Sequence, residues 1–343
     1  MLKTFRDHEM MKRIFESWGQ LIQKLRKDVI MAKTRKILIA VDGSLDSLNA
    51  VRYVGQTCTP EAVEISIMHV MPIVPKTLRD LDKEALFREE MKHKYAQWKI
   101  KREKAAEDLL IGASDILVKA KIDEHQVRVI LQEEKVGFAW DILVESERGY
   151  DAIVLGRSGF SKPQGFFLGS VSRKVAEGVE NIPVWVVGGE IKSRKILLAL
   201  DVSENSHRAV VYAGDFTAST EAELTLYHVV RSFGLGTVDE NSILDEEMKE
   251  RFVEEVRNDV PRMFSRYTES LKSSGVARNR ISSKHTFPSY SRAADILRDA
   301  ERGGYGTIVL GRRGLSGAPE FLMGSVANKV LSRAKGFAVW IVP

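Results

Sequence analysis

The sequence predicts an α/β protein made of two tandem copies of one parallel-sheet domain, and three observations carry that expectation. The chain has 343 residues, too many for one ordinary core and about right for two. Short runs rich in Val, Ile and Leu alternate with longer helical patterns, as strands do when helices wrap a parallel sheet. The pattern also repeats. Lys36-Ile37-Leu38-Ile39-Ala40-Val41-Asp42 matches Lys195-Ile196-Leu197-Leu198-Ala199-Leu200-Asp201, 159 positions on, and residues 65–70 match 224–229 at the same offset. Residues 151–156 match 306–311, and 183–187 match 338–342, at an offset of 155.

In the first copy, strands are expected near residues 36–41, 64–70, 126–131, 152–156 and 184–187, with helices between them. In a doubly wound sheet of order 3-2-1-4-5, the strand order reverses between the first and fourth strands, and ligands enter the crevice at their carboxyl ends. The widest gap, 78–120, has periodic apolar residues among many charges and reads as long exposed helix. Residues 245–273 hold the same place in the second copy. Both are expected to cover one face of the sheet or to carry partner specificity. The halves meet at Gly188-Gly189-Glu190-Ile191-Lys192-Ser193, a junction short enough to seat them against each other. The layout is therefore an N-terminal helix over 1–33, one domain over 34–188 and another over 193–343.

Residues 1–33 lack the unbroken apolar middle of a secretory signal. Met11, Ile14, Phe15, Trp18, Leu21, Ile22, Leu25 and Val29 fall at helical spacing, with Lys12, Arg13, Lys24, Arg26 and Lys27 mostly off that stripe. An amphipathic helix results, whose apolar face suits packing on the body or on a second subunit, with membrane-surface contact as the alternative. No apolar run approaches the roughly 18 residues of a membrane span. Cys58 is the single cysteine, which excludes an intramolecular disulfide and fits a cytoplasmic chain. The net charge of +5 is spread among interleaved acids, so anionic small molecules rather than nucleic acid are the expected partners.

The residues with chemistry follow the fourth strand. Gly156-Arg157-Ser158-Gly159 is followed by nine residues and then Gly169-Ser170, and Gly311-Arg312-Arg313-Gly314 by nine and then Gly324-Ser325. Glycines after a strand let the backbone turn tightly and approach a ligand, and Gly-Ser opening a helix presents free N–H groups to phosphate. Asp42 and Asp201, ending the first strand of each copy, would share that crevice. They could hold a ribose hydroxyl or a magnesium ion, or cap the helices that follow.

This double G-x-x-G, nine-residue, G-S spacing, each time with its Asp-terminated strand, resembles the ATP-binding class of the universal stress protein family, over both halves from about residue 34. The resemblance implies two tandem Rossmann-like, adenine nucleotide alpha hydrolase-like domains. Each would be a five-stranded parallel sheet of order 3-2-1-4-5 with helices on both faces. It implies bound ATP, with or without Mg2+, held in the first half by Ala40, Val41, Asp42, Val70, Gly156, Gly159, Gly169, Ser170, Val171 and Ser172. In the second half the positions are Ala199, Leu200, Asp201, Val229, Gly311, Gly314, Gly324, Ser325 and Val326. Ala327 replaces Ser172, which leaves the second pocket one hydroxyl short and predicts weaker binding there. The resemblance also implies that the last strands pair, giving an intramolecular pseudo-dimer, with a homodimer as the further state, and a stress-response or regulatory role with little or no hydrolysis.

Plainer roles compete with these. The glycines could serve tight turns alone. His69 and His228 recur at equivalent strand ends without a partner nucleophile and read as structural. Arg157, Arg312, Arg313, Lys174 and Lys329 could screen phosphate, though surface solvation is the commoner fate. Trp185 and Trp340 read as packing residues. Two other functions stay open. Asp42-Gly43-Ser44-Leu45-Asp46-Ser47 is partly similar to the S-G-G-x-D-S loop of ATP pyrophosphatases, which would make the chain an enzyme, and a scaffold that binds no nucleotide would keep the same loops.

Overall fold

The computed structural model describes residues 34–74, 88–159, 168–230, 246–287, 291–315 and 323–343. The helix expected over 1–33, the start of the one expected over 78–120 and most of both nine-residue spacers lie outside the described residues.

The strands of the first half are β1 (Arg35–Ala40), β2 (Val63–Met71), β3 (Val127–Glu133), β4 (Ala152–Gly156) and β5 (Val184–Val187); those of the second are β6 (Lys195–Ala199), β7 (Glu223–Val229), β8 (Ile281–Thr286), β9 (Thr307–Gly311) and β10 (Ala338–Val342). The helices are α1 (Leu45–Thr57), α2 (Arg88–Lys119), α3 (Phe138–Ser146), α4 (Ser170–Gly178), α5 (Glu204–Thr217), α6 (Glu246–Ser273), α7 (Arg292–Arg302) and α8 (Ser325–Arg333).

Where the sequence predicted a five-stranded sheet in each half, the ten strands form one sheet, ordered β3-β2-β1-β4-β5-β10-β9-β6-β7-β8. Every neighbouring pair is parallel except β5 and β10, which join the halves antiparallel with Trp185 opposite Trp340. The physical reason lies in their composition. Val184-Trp185-Val186-Val187 and Ala338-Val339-Trp340-Ile341-Val342 are apolar on both faces, so an unpaired edge at either would invite another strand. The true edges are made otherwise. Along β8, Ser282, Ser283, Lys284 and His285 are exposed, and β3 alternates Arg128 and Gln132 with apolar residues.

Strands buried on both faces supply two cores, one on each side of the sheet, and each core runs through both halves. Ile37 and Ile39 belong to the core that also contains Ala50 and Val54 of α1, Leu110 and Leu117 of α2, Ala209 and Ala213 of α5 and Met263 and Leu271 of α6. Leu38 points the other way, to the core containing Ile142 of α3, Val175 of α4, Ile296 of α7 and Val330 of α8. At the join the indoles of Trp185 and Trp340 stack with centroids 4.2 Å apart and planes 5° from parallel. Phe216 meets Trp185 edge-on at 4.7 Å. Trp340 Nε1 donates to the Tyr53 hydroxyl (2.9 Å), which lies 2.8 Å from Thr307 Oγ1. Tyr53 belongs to the first half and its partners to the second, so this network ties the halves through side chains as well as backbone.

Candidate functional site

A crevice of about 250 Å3 opens at the carboxyl ends of β6 and β9 in the second half. All nine second-half positions singled out in the sequence line it: Ala199, Leu200, Asp201, Val229, Gly311, Gly314, Gly324, Ser325 and Val326. The sheet order brings them together, because β6 and β9 are neighbours whose following connections diverge to opposite faces. Leu310, Ile296, Val260 and Met263 add apolar wall, the kind of slot that takes a flat ring.

The sequence missed one wall. Val256, Asp259, Val260 and Met263 come from α6, which it read as a long exposed helix. In fact Val260, Met263, Tyr267 and Leu271 are buried, and the Tyr267 hydroxyl donates to the Asp201 carbonyl at 2.7 Å. Helical spacing showed an apolar face but not what that face overlooks.

The two aspartates hold their surroundings rather than cap helices. Ser44 and Ser203 are the caps of α1 and α5, accepting from the amides of Ser47 (3.3 Å) and Ser206 (3.2 Å). Asp42 Oδ1 accepts from the Ser44 amide (2.9 Å), and Asp201 Oδ1 from the Ser203 amide (3.0 Å) and Ser206 Oγ (2.8 Å). The other oxygen faces the glycine loop, where Asp201 Oδ2 accepts from the Leu315 amide at 3.3 Å. A Cβ on Gly159 or Gly314 would stand 2.6 Å from Oδ2 of Asp42 or Asp201, so any larger residue must displace either the carboxylate or the loop. Gly156 and Gly311 serve packing: a Cβ there would strike the first turn of α1, 2.5 Å from the Ser47 nitrogen, or the start of α5, 2.8 Å from the Asn205 carbonyl carbon.

Burial alone would raise the Asp201 pKa, but the donors on Ser203 and Ser206 and the Leu315 amide outweigh it and hold the carboxyl below its ordinary range. A depressed folded-state pKa contributes stability that is fully present above the unfolded value and is lost as pH falls through the folded one. Wild type should therefore lose stability below about pH 4 more steeply than Asp201→Asn, in thermal melts across the acid range. Parallel curves would show that the carboxylate contributes nothing by its charge.

Gly169 and Gly324 precede α4 and α8, and neither helix has a side-chain cap or an acidic residue in its first turn. The first intrahelical bonds run from the Arg173 amide to the Gly169 carbonyl (3.0 Å) and from the Asn328 amide to that of Gly324 (2.9 Å). The amides of Ser170, Val171 and Ser172, and of Ser325, Val326 and Ala327, come before those bonds and have no intrahelical acceptor, which leaves a positive helix end beside each glycine loop, the second of them at the crevice.

Three sequence expectations change here. Ser172 Oγ donates to the Gly156 carbonyl at 2.6 Å, so the hydroxyl expected to favour the first pocket is spent on the strand end. Arg157 and Arg312, expected at the solvated surface or near phosphate, are 2% and 1% exposed. Arg157 donates from Nη1 to the carbonyls of Leu331 and Ala334 (2.7 Å each) and from Nη2 to that of Ser332 (2.6 Å). Arg312 does the same to Ala176 (2.7 Å), Val179 and Glu177 (2.5 Å each). Each arginine thus satisfies the last carbonyls of a helix in the opposite half.

Arg313 differs. It lines the crevice; its buried Nε, like those of Arg157 and Arg312, meets no acceptor among the described residues, but unlike theirs its guanidinium grips no helix-end carbonyl there. Ser158, in the same place in the first half, is bonded through its amide (3.1 Å) and hydroxyl (2.5 Å) to Asp46. Together with Ser44 Oγ donating to the Ser158 carbonyl at 3.1 Å, this commits the residues that resembled a pyrophosphatase loop to holding the turn. His69 and His228 support strand ends through Nδ1, 2.7 Å from the carbonyls of Val41 and Leu200. A carbonyl only accepts, so Nδ1 carries the proton, and burial lowers the His228 pKa, which favours the neutral ring. Among the described residues no three His, Cys, Asp or Glu side chains gather to hold a metal ion, and no helix is long and apolar enough to cross a membrane.

A doubled α/β unit with a crevice at the strand-order reversal is the class that the geometry defines. The chain belongs to the universal stress protein family, which it matches over residues 33–188 and again over 192–343. It is 32% identical over 136 residues to universal stress protein YxiE of Bacillus subtilis strain 168, a match covering 40% of this chain and 90% of that one. Among solved structures, a universal stress protein from Archaeoglobus fulgidus DSM 4304 superposes with a TM-score of 0.60 at 21% identity, over 90% of this chain and 98% of its own. A universal stress protein solved in complex with cAMP matches 44% of this chain and 97% of its own at 19% identity, with a TM-score of 0.32.

Proposed function

We propose that the chain binds ATP in both halves and acts as a nucleotide-dependent regulatory protein of the stress response, with little or no hydrolysis. The observation that carries this reading is the second crevice. An apolar slot, an uncapped helix N-terminus and a buried arginine nitrogen without an acceptor converge there. Each is a feature that a base on one side and phosphates on the other would satisfy. The Ser206 hydroxyl, bonded to the Asp201 carboxylate, is buried and also accepts from the Asp201 amide, so it holds the turn, which favours binding over turnover. A Mg2+ ion would arrive with the triphosphate, which supplies ligands of its own.

The domains at 34–188 and 193–343 are read as two copies that pair through β5 and β10, making the chain its own dimer. With Cys58 buried and alone, a reducing cytoplasm suits it. The nineteen positions proposed from the sequence remain the proposed contacts, with Arg313 added. Site strength is then the reverse of the expectation from Ala327. The second site has Arg313, which meets no acceptor among the described residues, and the first has Ser158 already bonded.

Denaturing the purified protein and identifying the released nucleotide tests the reading. ATP at one to two per chain supports it; no nucleotide, together with no heat on titration with Mg-ATP, overturns it. In that titration Arg313→Gln should weaken the tighter site about tenfold, the worth of one charged hydrogen bond to phosphate, and leave the weaker site in place.

A further inference from the structure

The arginines that cross between halves connect the second-half crevice with the matching glycine loop of the first half. Arg157 follows the last residue of β4 in the first glycine loop, and its own carbonyl accepts from the Gly169 amide at 2.8 Å, at the start of α4. Its guanidinium, however, holds the end of α8, and α8 begins at the second crevice. Arg312 mirrors this: its carbonyl accepts from the Gly324 amide at 2.9 Å, and its guanidinium holds the end of α4. The result is a closed circuit. Loop one grips the tail of the helix whose head forms site two, and loop two grips the tail of the helix whose head forms site one. Each helix has nine residues, roughly 13 Å at the usual rise, and is short enough to move as a rigid rod.

We propose that Arg157 and Arg312 are positioning residues for the opposite site, and that they make the two sites bind an adenine nucleotide cooperatively. The coupling is positive. Phosphate at the head of α8 orders that helix and its terminal carbonyls, which fixes Arg157 and the first glycine loop before a second ligand arrives, and the ordering cost is met once for both. The cooperativity rests on the nucleotide reading above; the positioning does not, and the two are tested separately.

Amide exchange in the ligand-free chain tests positioning. A lysine keeps the charge but loses the planar fork that reaches three carbonyls. Arg157→Lys should therefore speed exchange at Asn328, the first hydrogen-bonded amide of α8, about fivefold, and spare Arg173 in α4. Arg312→Lys should do the reverse. Acceleration confined to the last turn of the gripped helix, or equal at both helix heads, overturns the positioning role, and a thermal melt of each variant separates it from general loosening.

Titration with Mg-ATP tests coupling. Closing the second site with Gly314→Val should weaken the first about fivefold, within the usual range of coupling between sites, and the same closure should change nothing in an Arg157→Lys background. First-site affinity that is indifferent to closure overturns the coupling while leaving nucleotide binding intact. No heat in any variant instead sinks the nucleotide reading and the cooperativity with it, and the exchange measurement still decides the positioning.

Discussion

Gly314→Val should abolish nucleotide binding at the second crevice, by at least about a hundredfold, while the first still binds with the roughly fivefold loss set by coupling. The loop closes on Asp201 so tightly that a Cβ would lie 2.6 Å from Oδ2. That carboxylate cannot retreat, because the Ser203 amide and Ser206 Oγ hold its other oxygen. The valine must therefore push the loop, and with it Arg313 and Leu315, across the space a ligand needs. Losing the arginine contact and even one helix-end contact costs about 3 kcal/mol together, which is the expected hundredfold. Gly314 itself is exposed, so the melting temperature should change little. Calorimetric titration reads the result: one remaining site supports the placement, and two unchanged sites would show that ligand does not enter between Asp201 and the loop.

The legible part of the fold was the part governed by burial. β1, β4, β6 and β9 lie in the sheet interior, and a strand covered on both faces has to be written in Val, Ile, Leu and Ala. The second-half site was legible for a related reason. Close approaches force glycine at Gly311 and Gly314, so the spacing survives in the sequence as a pattern of absent side chains. The same pattern did not reveal what the glycines are close to. Gly311 makes room for α5, and Gly314 makes room for Asp201.

What stayed hidden depended on long-range partners. The pairing of the two apolar final strands was expected only through the family resemblance, and the stacking of Trp185 on Trp340, a contact across 155 residues, was not expected at all. Arg157 and Arg312 were placed at the surface because arginine is seldom buried. One clue was available: arginine occupies this loop position in both halves, whereas the next position is Ser158 in one and Arg313 in the other. The repeated arginine turns out to grip helix-end carbonyls, and the unrepeated one lines the crevice and grips none among the described residues. The α6 wall left no such clue, because an amphipathic helix reads the same whether its apolar edge meets the core or a crevice.

The largest expected loss of stability follows from Arg312→Met, which should cost about 4 kcal/mol. The methionine fills most of the volume and keeps the apolar stem, so the cost comes from the carbonyls of Ala176, Glu177 and Val179, which lose their donors at the buried join between the halves. An unsatisfied buried carbonyl costs about 1–3 kcal/mol, and water reaching the rim would recover part of the sum. Burial does lower the Arg312 pKa, as it does that of Arg157, yet a guanidinium starts so far above neutrality that the residue stays cationic and complements the negative end of α4 throughout the physiological range. The loss should therefore be independent of pH between about 5 and 9, unlike the acid-limited contribution of Asp201. Urea unfolding at three pH values reads this directly. A loss below about 1 kcal/mol would mean that solvent replaces the guanidinium at the end of α4, in which case the join between the halves is held by its other contacts, the β5–β10 ladder, the tryptophan stack and the Tyr53 hydrogen bonds among them.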